Sequence, residues 1–151
     1  MLVYVDTSVF GGAFDTRFAD DSVAFFDRVR NGMIEVGISA LVLNELAHAP
    51  ATVNQLFDEL EPLLVRVDID DEAYALRRAY LDAQVVTAKW AADALHVAAA
   101  TVSGCRAIVS WNFKHIVNFR RIPLYNGANQ MQGYGPIAIH TPPEVSFYEE
   151  D

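Results

Sequence analysis

Short apolar segments alternate along this chain with segments of helical periodicity, and this alternation constrains the fold more than any other feature. Leu2–Val5 is a continuous run of β-forming residues, which is typical of a parallel strand buried on both faces. Strand-like runs follow at residues 34–38, 63–67, 107–109 and 137–139. Strands that alternate with helices indicate an α/β sandwich built on a parallel sheet.

Helical segments are predicted between these runs, and their ends carry recognisable signals. Ser39 and either Asp70 or Asp71 occupy positions where N-cap residues are favoured. Pro50 and Gly104 lie where a helix is expected to end. The predicted helices cover approximately residues 20–31, 40–49, 51–60, 71–83 and 88–103.

The chain shows no sign of a second domain. No repeat, low-complexity tract or Gly/Ser linker interrupts it, and its 151 residues are enough to bury a core. We therefore expect residues 1–151 to form a single domain, in which residues 126–151 have the least regular pattern. There, Asn126-Gly127 and Gly133-Tyr134-Gly135 predict turns, and Thr141-Pro142-Pro143-Glu144 predicts a helix start.

Cysteine usage and the apolar segments indicate a cytoplasmic protein. The single cysteine, Cys105, allows no intramolecular disulfide, and we expect it to be a small buried hydrophobic residue. The apolar start ends at Asp6 and has no basic segment before it, so we expect no signal peptide. Charged residues interrupt the longer apolar stretches, so we expect no membrane span.

The net charge of −9 weighs against strong general binding of nucleic acid. The acids cluster between Asp58 and Glu72 and again from Glu144 onward, which is typical of solvated surface. Basic residues lie elsewhere, at Arg77, Arg78, Lys89, Arg106, Lys114, Arg120 and Arg121. A protein that holds RNA through bound divalent cations tolerates such an acidic total.

Polar residues in apolar segments are the candidate chemical groups. Asp6 directly follows the first predicted strand, and Asn112 follows the strand at residues 107–109, at the end where parallel sheets bind ligands. Glu45 and Asp93 lie in apolar helices, where an unpaired charge is costly to bury. Three acids turned to one place repel each other unless a cation neutralises them, and oxygen ligands suit Mg²⁺ or Mn²⁺.

Each of these acids also has an ordinary structural explanation. Asp6 can be a turn residue or a helix cap, and Glu45 can be a surface residue of an amphipathic helix. Asp93 can be an acid in the first helical turn that interacts with the helix dipole. The functional argument therefore rests on their order and spacing taken together.

Four segments of the chain resemble those of a known family. They are Val3-Tyr4-Val5-Asp6-Thr7-Ser8, the segment from Ser39 through Asn44-Glu45-Leu46, residues 92–100 and residues 108–113. With these segments the chain resembles PIN domains, and within them the VapC-like toxins of bacterial toxin–antitoxin pairs. The resemblance covers about residues 2–116; each motif alone is weak, whereas the four in this order are specific.

The resemblance implies a three-layer α/β/α sandwich with a central, mostly parallel sheet of four to five strands. It also implies an endoribonuclease, a hydrolase that cleaves RNA phosphodiester bonds with one or two Mg²⁺ or Mn²⁺ ions. Asp6, Glu45 and Asp93 match the acidic metal ligands of the family. Proteins of this kind often form homodimers and are held inactive by a small antitoxin. The helices around Phe25-Phe26 and Leu56-Phe57 are the predicted contact surfaces.

Four further residues are predicted to contact the RNA substrate. Thr7 and Ser8 match the positions after the first aspartate at which the family supports metal or phosphate. Lys89 and Lys114 can meet phosphate groups, although an i,i+4 ion pair with Asp93 explains Lys89 equally well.

Histidine and tryptophan side chains near these motifs have two explanations each. Asp93 and His96 share a helix face, but no second spaced ligand supports zinc, and a structural or substrate-edge role for His96 is favoured. His115 can approach RNA or pack at the surface. Trp90 and Trp111 can stack on bases, and burial is expected for at least one of them.

Asn112 departs from the family pattern, since many members have aspartate at this position. Its neutral oxygen removes one negative charge and should weaken a second metal most. We predict that Asn112 still points into the site as a fourth catalytic residue. The departure motivates an alternative, a catalytically weakened or inactive PIN-fold module that binds or regulates. A deoxyribonuclease of the flap-endonuclease type shares the chemistry but needs more acids and a larger DNA-binding surface.

Overall fold

Five parallel strands form the centre of the computed structural model, which describes residues 2–149 and the side chains of residues 2–145. The strands are β1 (Leu2–Val5), β2 (Glu35–Ile38), β3 (Val65–Arg66), β4 (Ala107–Val109) and β5 (Ala138–His140). Their order is β3-β2-β1-β4-β5, and every neighbouring pair is parallel. The prediction of an α/β fold on a parallel sheet is therefore confirmed, including its fifth strand.

Helices connect the strands and flank the sheet. They are α1 (Thr7–Gly12), α2 (Ala19–Arg30), α3 (Ala40–Leu46), α4 (Ala51–Leu60), α5 (Asp71–Asp82), α6 (Ala91–Val102) and α7 (Arg121–Met131). Short 3₁₀ segments lie at Glu61–Leu63, Ala88–Trp90 and Pro142–Glu149. Within residues 2–149, no helix is long and apolar enough to cross a membrane.

The central strand β1 is buried on both faces, as its continuous apolar sequence predicts. Val3, Tyr4 and Val5 point alternately to opposite faces of the sheet, and all three are fully buried. A strand with water on one face would instead alternate between apolar and polar residues. Within β1, the Tyr4 hydroxyl is the polar exception, and it contacts His96 and Ser39 beneath the candidate site.

The predicted helix signals are partly confirmed. Asp70 caps α5, because its side chain accepts a hydrogen bond from the backbone N–H of Ala73 at 3.0 Å. Ser39 precedes α3 as predicted, but its side chain makes no capping hydrogen bond and contacts Tyr4 instead. Helix α1 was not predicted; it begins directly after Asp6, where the first predicted strand ends.

Asn126-Gly127 does not form the predicted turn, because both residues lie inside α7. The side chain of Asn126 accepts a hydrogen bond from the backbone N–H of Ile137 at 2.7 Å and donates one to its carbonyl at 3.1 Å. This pairing attaches α7 to the segment that enters β5. The second predicted turn is confirmed, since Gly133 has a left-handed backbone with φ of 86°.

The aromatic residues predicted to face a partner lie in the core. Phe25 and Phe26 are buried against Phe10, and Phe57 is buried against the same ring. Phe25, Phe26 and Phe57 therefore offer no apolar surface to a partner, while contact through other faces of these two helices stays a prediction. Their amphipathic pattern arises from packing on the sheet, and Leu56 is itself partly buried against this core.

The order of the strands defines where a site can form. From β1 the chain adds β2 and β3 on one side, and it then returns to add β4 and β5 on the other. The strand order thus reverses between β1 and β4, and ligands of open α/β sheets bind outside the carboxyl ends of the strands at such a point. Asp6 follows β1 and Ser110 follows β4 at this edge.

Candidate active site

Asp6 occupies the reversal point of the sheet and is almost fully buried, with 4% of its surface exposed. Its backbone N–H donates to the carbonyl of Val109 at 3.3 Å, which continues the pairing of β1 and β4 beyond the strands. Its two carboxylate oxygens accept hydrogen bonds from the hydroxyls of Ser8 at 2.6 Å and Ser110 at 2.7 Å. Both oxygens are therefore fixed in direction.

The two serines that hold Asp6 are themselves held by the loop after β4. Ser8 Oγ accepts from the backbone N–H of Trp111, and Ser110 Oγ accepts from the backbone N–H of Asn112, each at 2.9 Å. Each hydroxyl must then donate its own hydrogen to Asp6. The role of Ser110 was not predicted, although its position directly after a strand is the same signal that identified Asp6.

Glu45 projects from α3 toward the same edge, and its side chain is 36% exposed. Its Oε1 atom accepts hydrogen bonds from the Thr7 hydroxyl at 3.1 Å and lies 2.5 Å from Nε2 of His96. Among the described residues, none donates a hydrogen bond to Oε2. One oxygen of Glu45 is thus occupied by the protein, and the other is available to a ligand.

A buried chain of polar groups leads from Glu45 into the protein. His96 is 1% exposed, and its Nδ1 atom lies 2.7 Å from the Tyr4 hydroxyl, which in turn lies 2.8 Å from Ser39 Oγ. These residues come from β1, α6 and the end of β2. Of the two roles predicted for His96, structural or at the substrate edge, the structural one agrees with this burial. Tyr4 and Ser39 were not predicted to belong to the site.

Asp93 lies in the first turn of α6 beside the loop after β4. A hydrogen bond from the Asn112 side chain favours its ionised form. The Asn112 oxygen accepts the backbone N–H of His115 at 3.0 Å, so the amide nitrogen is the group that faces Asp93. Asn112 thus contacts a predicted site acid through its amide.

Burial and mutual repulsion oppose ionisation of the two aspartates. Burial raises the pKa of Asp6, and the Glu45 charge adds to the rise, although His96, Ser8 and Ser110 act in the opposite direction. The ionised form of Asp6 is therefore costly in the folded protein unless positive charge approaches it.

The pKa values of the other two acids are shifted in opposite directions. Burial raises the pKa of Asp93, and Glu45 adds to this, against the effects of Asn112, His115 and His96. For Glu45, burial alone would raise the pKa, but the hydrogen bonds and charge interaction with His96 and Thr7 lower it below the usual range. The charge of Glu45 affects both aspartates, so the three acids share one electrostatic environment.

The donors of this site suit a hydrated divalent ion better than a closed protein cage. Among the side chains of residues 2–145, no three from His, Cys, Asp or Glu are arranged to hold one metal ion together. Mg²⁺ commonly binds through one or two carboxylates and keeps several waters. The free Oε2 of Glu45 and the remaining lone pairs of Asp6 fit that mode. A bound cation would also offset the energetic cost of burying ionised carboxylates.

The predicted substrate-binding residues lie in two groups. Thr7 and Ser8 lie within the carboxylate cluster, where both hydroxyls donate to acids. Lys89 and Lys114 are exposed. Lys89 makes no ion pair with Asp93; its ammonium lies 5.0 Å from the centre of the Trp90 ring.

The two tryptophans occupy different environments. Trp111 stacks on Phe18 with ring centres 4.3 Å apart, and its indole N–H donates to Ser22 at 2.9 Å. It is packed against the core, as expected for at least one tryptophan. Trp90 remains 37% exposed and stacks on His115.

Residues 3–116 match the family model of the PIN domain, so the chain belongs to the PIN-domain family. Members of this family are generally nucleases and generally use divalent metal ions. The family membership predicted from the four sequence motifs is thereby confirmed. Among curated proteins, none matches the sequence significantly.

Solved structures of toxin–antitoxin complexes have a similar fold. VapBC2 from Rickettsia felis, bound to a DNA fragment from their promoter, is 16% identical, with a TM-score of 0.62 over 93% of this chain and 98% of that one. FitAcB from Neisseria gonorrhoeae is 20% identical, with a TM-score of 0.59 over 93% and 97%. FitAB bound to an IR36 DNA fragment is 17% identical, with a TM-score of 0.59 over 93% and 94%. At these identities the likeness shows the fold.

Proposed function

We propose that this protein is a metal-dependent endoribonuclease that hydrolyses RNA phosphodiester bonds as the toxin of a toxin–antitoxin pair. The observation that carries the proposal is the grouping of Asp6, Glu45 and Asp93 in one electrostatic environment at the carboxyl edge of the sheet. Membership of a family whose members are generally nucleases supports it. The cytoplasmic location expected from the sequence fits an RNA substrate.

Asp6, Glu45 and Asp93 would hold one or two Mg²⁺ or Mn²⁺ ions. A divalent ion bound there supplies a positive charge that polarises the scissile phosphodiester and makes water a better nucleophile. The chain itself keeps the ligands in place: Ser8 and Ser110 direct the oxygens of Asp6, and no side chain needs to form a covalent bond to the substrate.

Asn112 acts in this proposal as a catalytic residue through its amide. It donates to Asp93, which favours the charged form of that buried carboxylate without adding a further negative charge. Thr7 and Ser8 border the position of the scissile phosphate, while Lys89 and Lys114 attract the RNA chain from outside the carboxylate cluster. Their charge compensates locally for the net −9 of the protein.

Cleavage assays with isosteric variants test the proposal. Wild-type protein should cleave a mixture of structured and single-stranded RNAs with Mg²⁺ or Mn²⁺ and not with EDTA. Asp6→Asn and Asp93→Asn should abolish cleavage while the circular dichroism spectrum stays native. Asp20→Asn, an exposed acid in the first turn of α2, is the matched control and should cleave like wild type. Retained cleavage in pure Asp93→Asn protein would refute the proposed chemistry.

An antitoxin and a second copy of the chain are the proposed protein partners. The solved relatives are described as VapBC2 and FitAB assemblies with DNA, which supports a partner of the antitoxin kind for this fold. Light scattering of the purified chain tests the homodimer. Co-expression with the product of a neighbouring gene, followed by loss of RNA cleavage in the complex, tests the antitoxin.

The alternative is an inactive PIN-fold module that binds or regulates. Asn112, the net charge of −9 and the lack of a ready three-ligand arrangement in the described residues favour it. Mn²⁺ separates the two proposals, because an ion that binds only the folded protein raises the melting temperature. A rise in millimolar Mn²⁺ that Asp6→Asn loses supports the nuclease. Absence of both the rise and cleavage supports the module.

A further inference from the structure

His115 is a buried imidazole without hydrogen-bond partners. The residue is 8% exposed, and both ring nitrogens are covered and make no hydrogen bond to any described group. Leaving such a group unpaired costs about 1–3 kcal/mol, so each case in a folded protein needs an explanation. Its backbone is well anchored, since its N–H donates to Asn112 and its carbonyl accepts from Tyr125. Only the side chain lacks hydrogen-bond partners.

Trp90 covers this imidazole and is itself open to solvent. The two rings stack with centres 4.1 Å apart and planes inclined by 22°, and Trp90 is 37% exposed. It belongs to the 3₁₀ segment Ala88–Trp90, directly before the helix that carries Asp93. An exposed indole is a surface on which any nucleobase can stack. Contact with the buried nitrogens of His115 requires a neighbouring group to move, and Trp90 is the exposed residue that stacks on this ring.

Positive charge gathers at the same place in an otherwise acidic chain. Burial lowers the pKa of His115, and the charges of Arg121 and Lys114 lower it further, while Asp93 acts in the opposite direction. These effects place both cations and the site carboxylate near the imidazole. Arg121 also has a buried Nε atom that makes no hydrogen bond to a described group. His115 and Arg121 thus have side-chain nitrogen atoms without hydrogen-bond partners near Asp93.

We propose that Trp90, His115 and Arg121 form a nucleotide-binding site of the enzyme. The base of one RNA nucleotide stacks on Trp90, and an adjacent phosphate accepts hydrogen bonds from His115 and Arg121. The inference rests on the proposed ribonuclease function and extends it, because it identifies how an acidic protein positions an RNA chain next to Asp93. A phosphate supplies the acceptors that the unpaired N–H groups lack.

Binding measured without metal and without cleavage tests this site. The probe is a fluorescein-labelled, single-stranded 2′-O-methyl RNA oligonucleotide in EDTA, followed by anisotropy. His115→Phe keeps the ring that stacks on Trp90 and removes only the nitrogens. Loss of a hydrogen bond to a charged phosphate predicts binding that is roughly tenfold weaker or more. His48→Phe changes an exposed histidine and should bind like wild type.

Trp90→Leu and Arg121→Gln test the other two contacts. Loss of base stacking should weaken binding about fivefold or more. Loss of one phosphate contact should reduce the slope of log Kd against log salt by about 0.7 for a single strand. Arg78→Gln, at an exposed arginine of α5, is the control and should leave the slope unchanged. Intrinsic tryptophan fluorescence should change on binding in wild-type protein and not in Trp90→Leu.

A stability measurement distinguishes this site from a structural role of His115. Since its nitrogens have no protein partners, His115→Phe should melt at the same temperature as wild type or higher, and yet bind the oligonucleotide more weakly. Unchanged affinity in folded His115→Phe and Trp90→Leu overturns the site. If these variants also cleave RNA normally with metal, the ribonuclease stands without the site. Weakened binding supports the site even where no RNA is cleaved.

Discussion

The Nε2 atom of His96 lies 2.5 Å from Oε1 of Glu45, and this contact determines which oxygen of Glu45 remains free. The Tyr4 hydroxyl joins Nδ1 of the same ring to Ser39 Oγ, at 2.7 and 2.8 Å. Every polar group of this buried chain therefore has a hydrogen-bond partner. Because Thr7 also donates to Oε1, the metal-facing position falls to Oε2.

Tyr4→Phe should lower both stability and activity. The ring is kept, but Ser39 Oγ and His96 Nδ1 lose their shared partner inside the protein, which costs about 1–3 kcal/mol of unfolding free energy. With His96 less restrained, Glu45 is less well oriented, and kcat for RNA cleavage should fall while KM changes little. Urea unfolding and steady-state cleavage kinetics measure the two effects.

Tyr80→Phe is the matched control for this prediction. Tyr80 is also fully buried, and its hydroxyl donates to Asn129 instead of joining the polar chain that leads to Glu45. It should lose a similar amount of stability and keep its kcat at temperatures where it is folded. Equal kcat in the two variants would show that the contact between His96 and Glu45 has no catalytic consequence.

Much of the fold is local in origin, which is why the sequence predicts it. Strands β1 and β4 are continuous apolar runs, and Asp6 is identified because it ends the first of them. The serines that orient the site differ in this respect. Ser110 is 104 residues from Asp6 along the chain, and Ser39 is 35 residues from Tyr4. No local pattern encodes such pairs, so they become visible only when the sheet brings the strand ends together.

The same argument explains the error at Asn126-Gly127. This dipeptide usually marks a turn because both residues tolerate left-handed backbone conformations. Here the Asn126 side chain is used for two hydrogen bonds to the backbone of Ile137, and the helix continues through it. Tertiary contacts outweigh a local preference of about 1 kcal/mol at this position.

Asp6→Asn should stabilise the metal-free protein at neutral pH. Burial raises the pKa of Asp6, so its ionisation is less favourable in the folded than in the unfolded chain. At low pH, where Asp6 is protonated, the folded protein has its full stability. It loses part of that stability as pH rises from the pKa of Asp6 in the unfolded chain through the higher pKa in the folded protein. The neutral amide avoids this loss, and it can still accept from one serine and donate to the other.

Thermal unfolding in EDTA across the acid range measures this effect. The melting temperatures of wild type and Asp6→Asn should be most alike at the lowest pH and diverge as pH rises, levelling off above the folded pKa. Each kcal/mol of difference corresponds to about 2–4 °C for a domain of this size. Saturating Mn²⁺ should reduce the gap, because only wild type gains from the ion. A constant gap at every pH would contradict the assignment to Asp6.

Gly12→Ala should destabilise the protein through Trp111. A Cβ atom at Gly12 would lie 2.6 Å from Trp111 Nε1 and 2.7 Å from Ser22 Oγ, and these two atoms already share a hydrogen bond. Relief requires the indole to move, at a cost of about 1–3 kcal/mol. Gly11→Ala is the control on the same helix, because nothing lies within 4 Å of its Cβ position. It should be neutral or slightly stabilising, and equal losses in both variants would rule out the clash.

Asn112→Asp should lower the melting temperature of the metal-free protein and increase the rise in melting temperature that Mn²⁺ causes. The change removes the amide donor that faces Asp93 and adds a second negative charge beside a carboxylate whose pKa burial has already raised. Without metal, the melting temperature should fall. With Mn²⁺, the added ligand and charge should increase the stabilisation, since an ion that binds more tightly shifts unfolding further by mass action.

Asn118→Asp separates this electrostatic effect from the loss of a hydrogen bond. Asn118 also accepts backbone N–H groups through its oxygen and donates from its amide, here to the carbonyl of Phe113. The control should lose stability without metal and gain no more from Mn²⁺ than wild type does. If Mn²⁺ raises the melting temperature more in Asn112→Asp alone, the metal affinity of the wild-type site is limited by the lack of a fourth acid. Equal shifts in all three proteins mean that Asp6, Glu45 and Asp93 set the metal affinity without help from position 112.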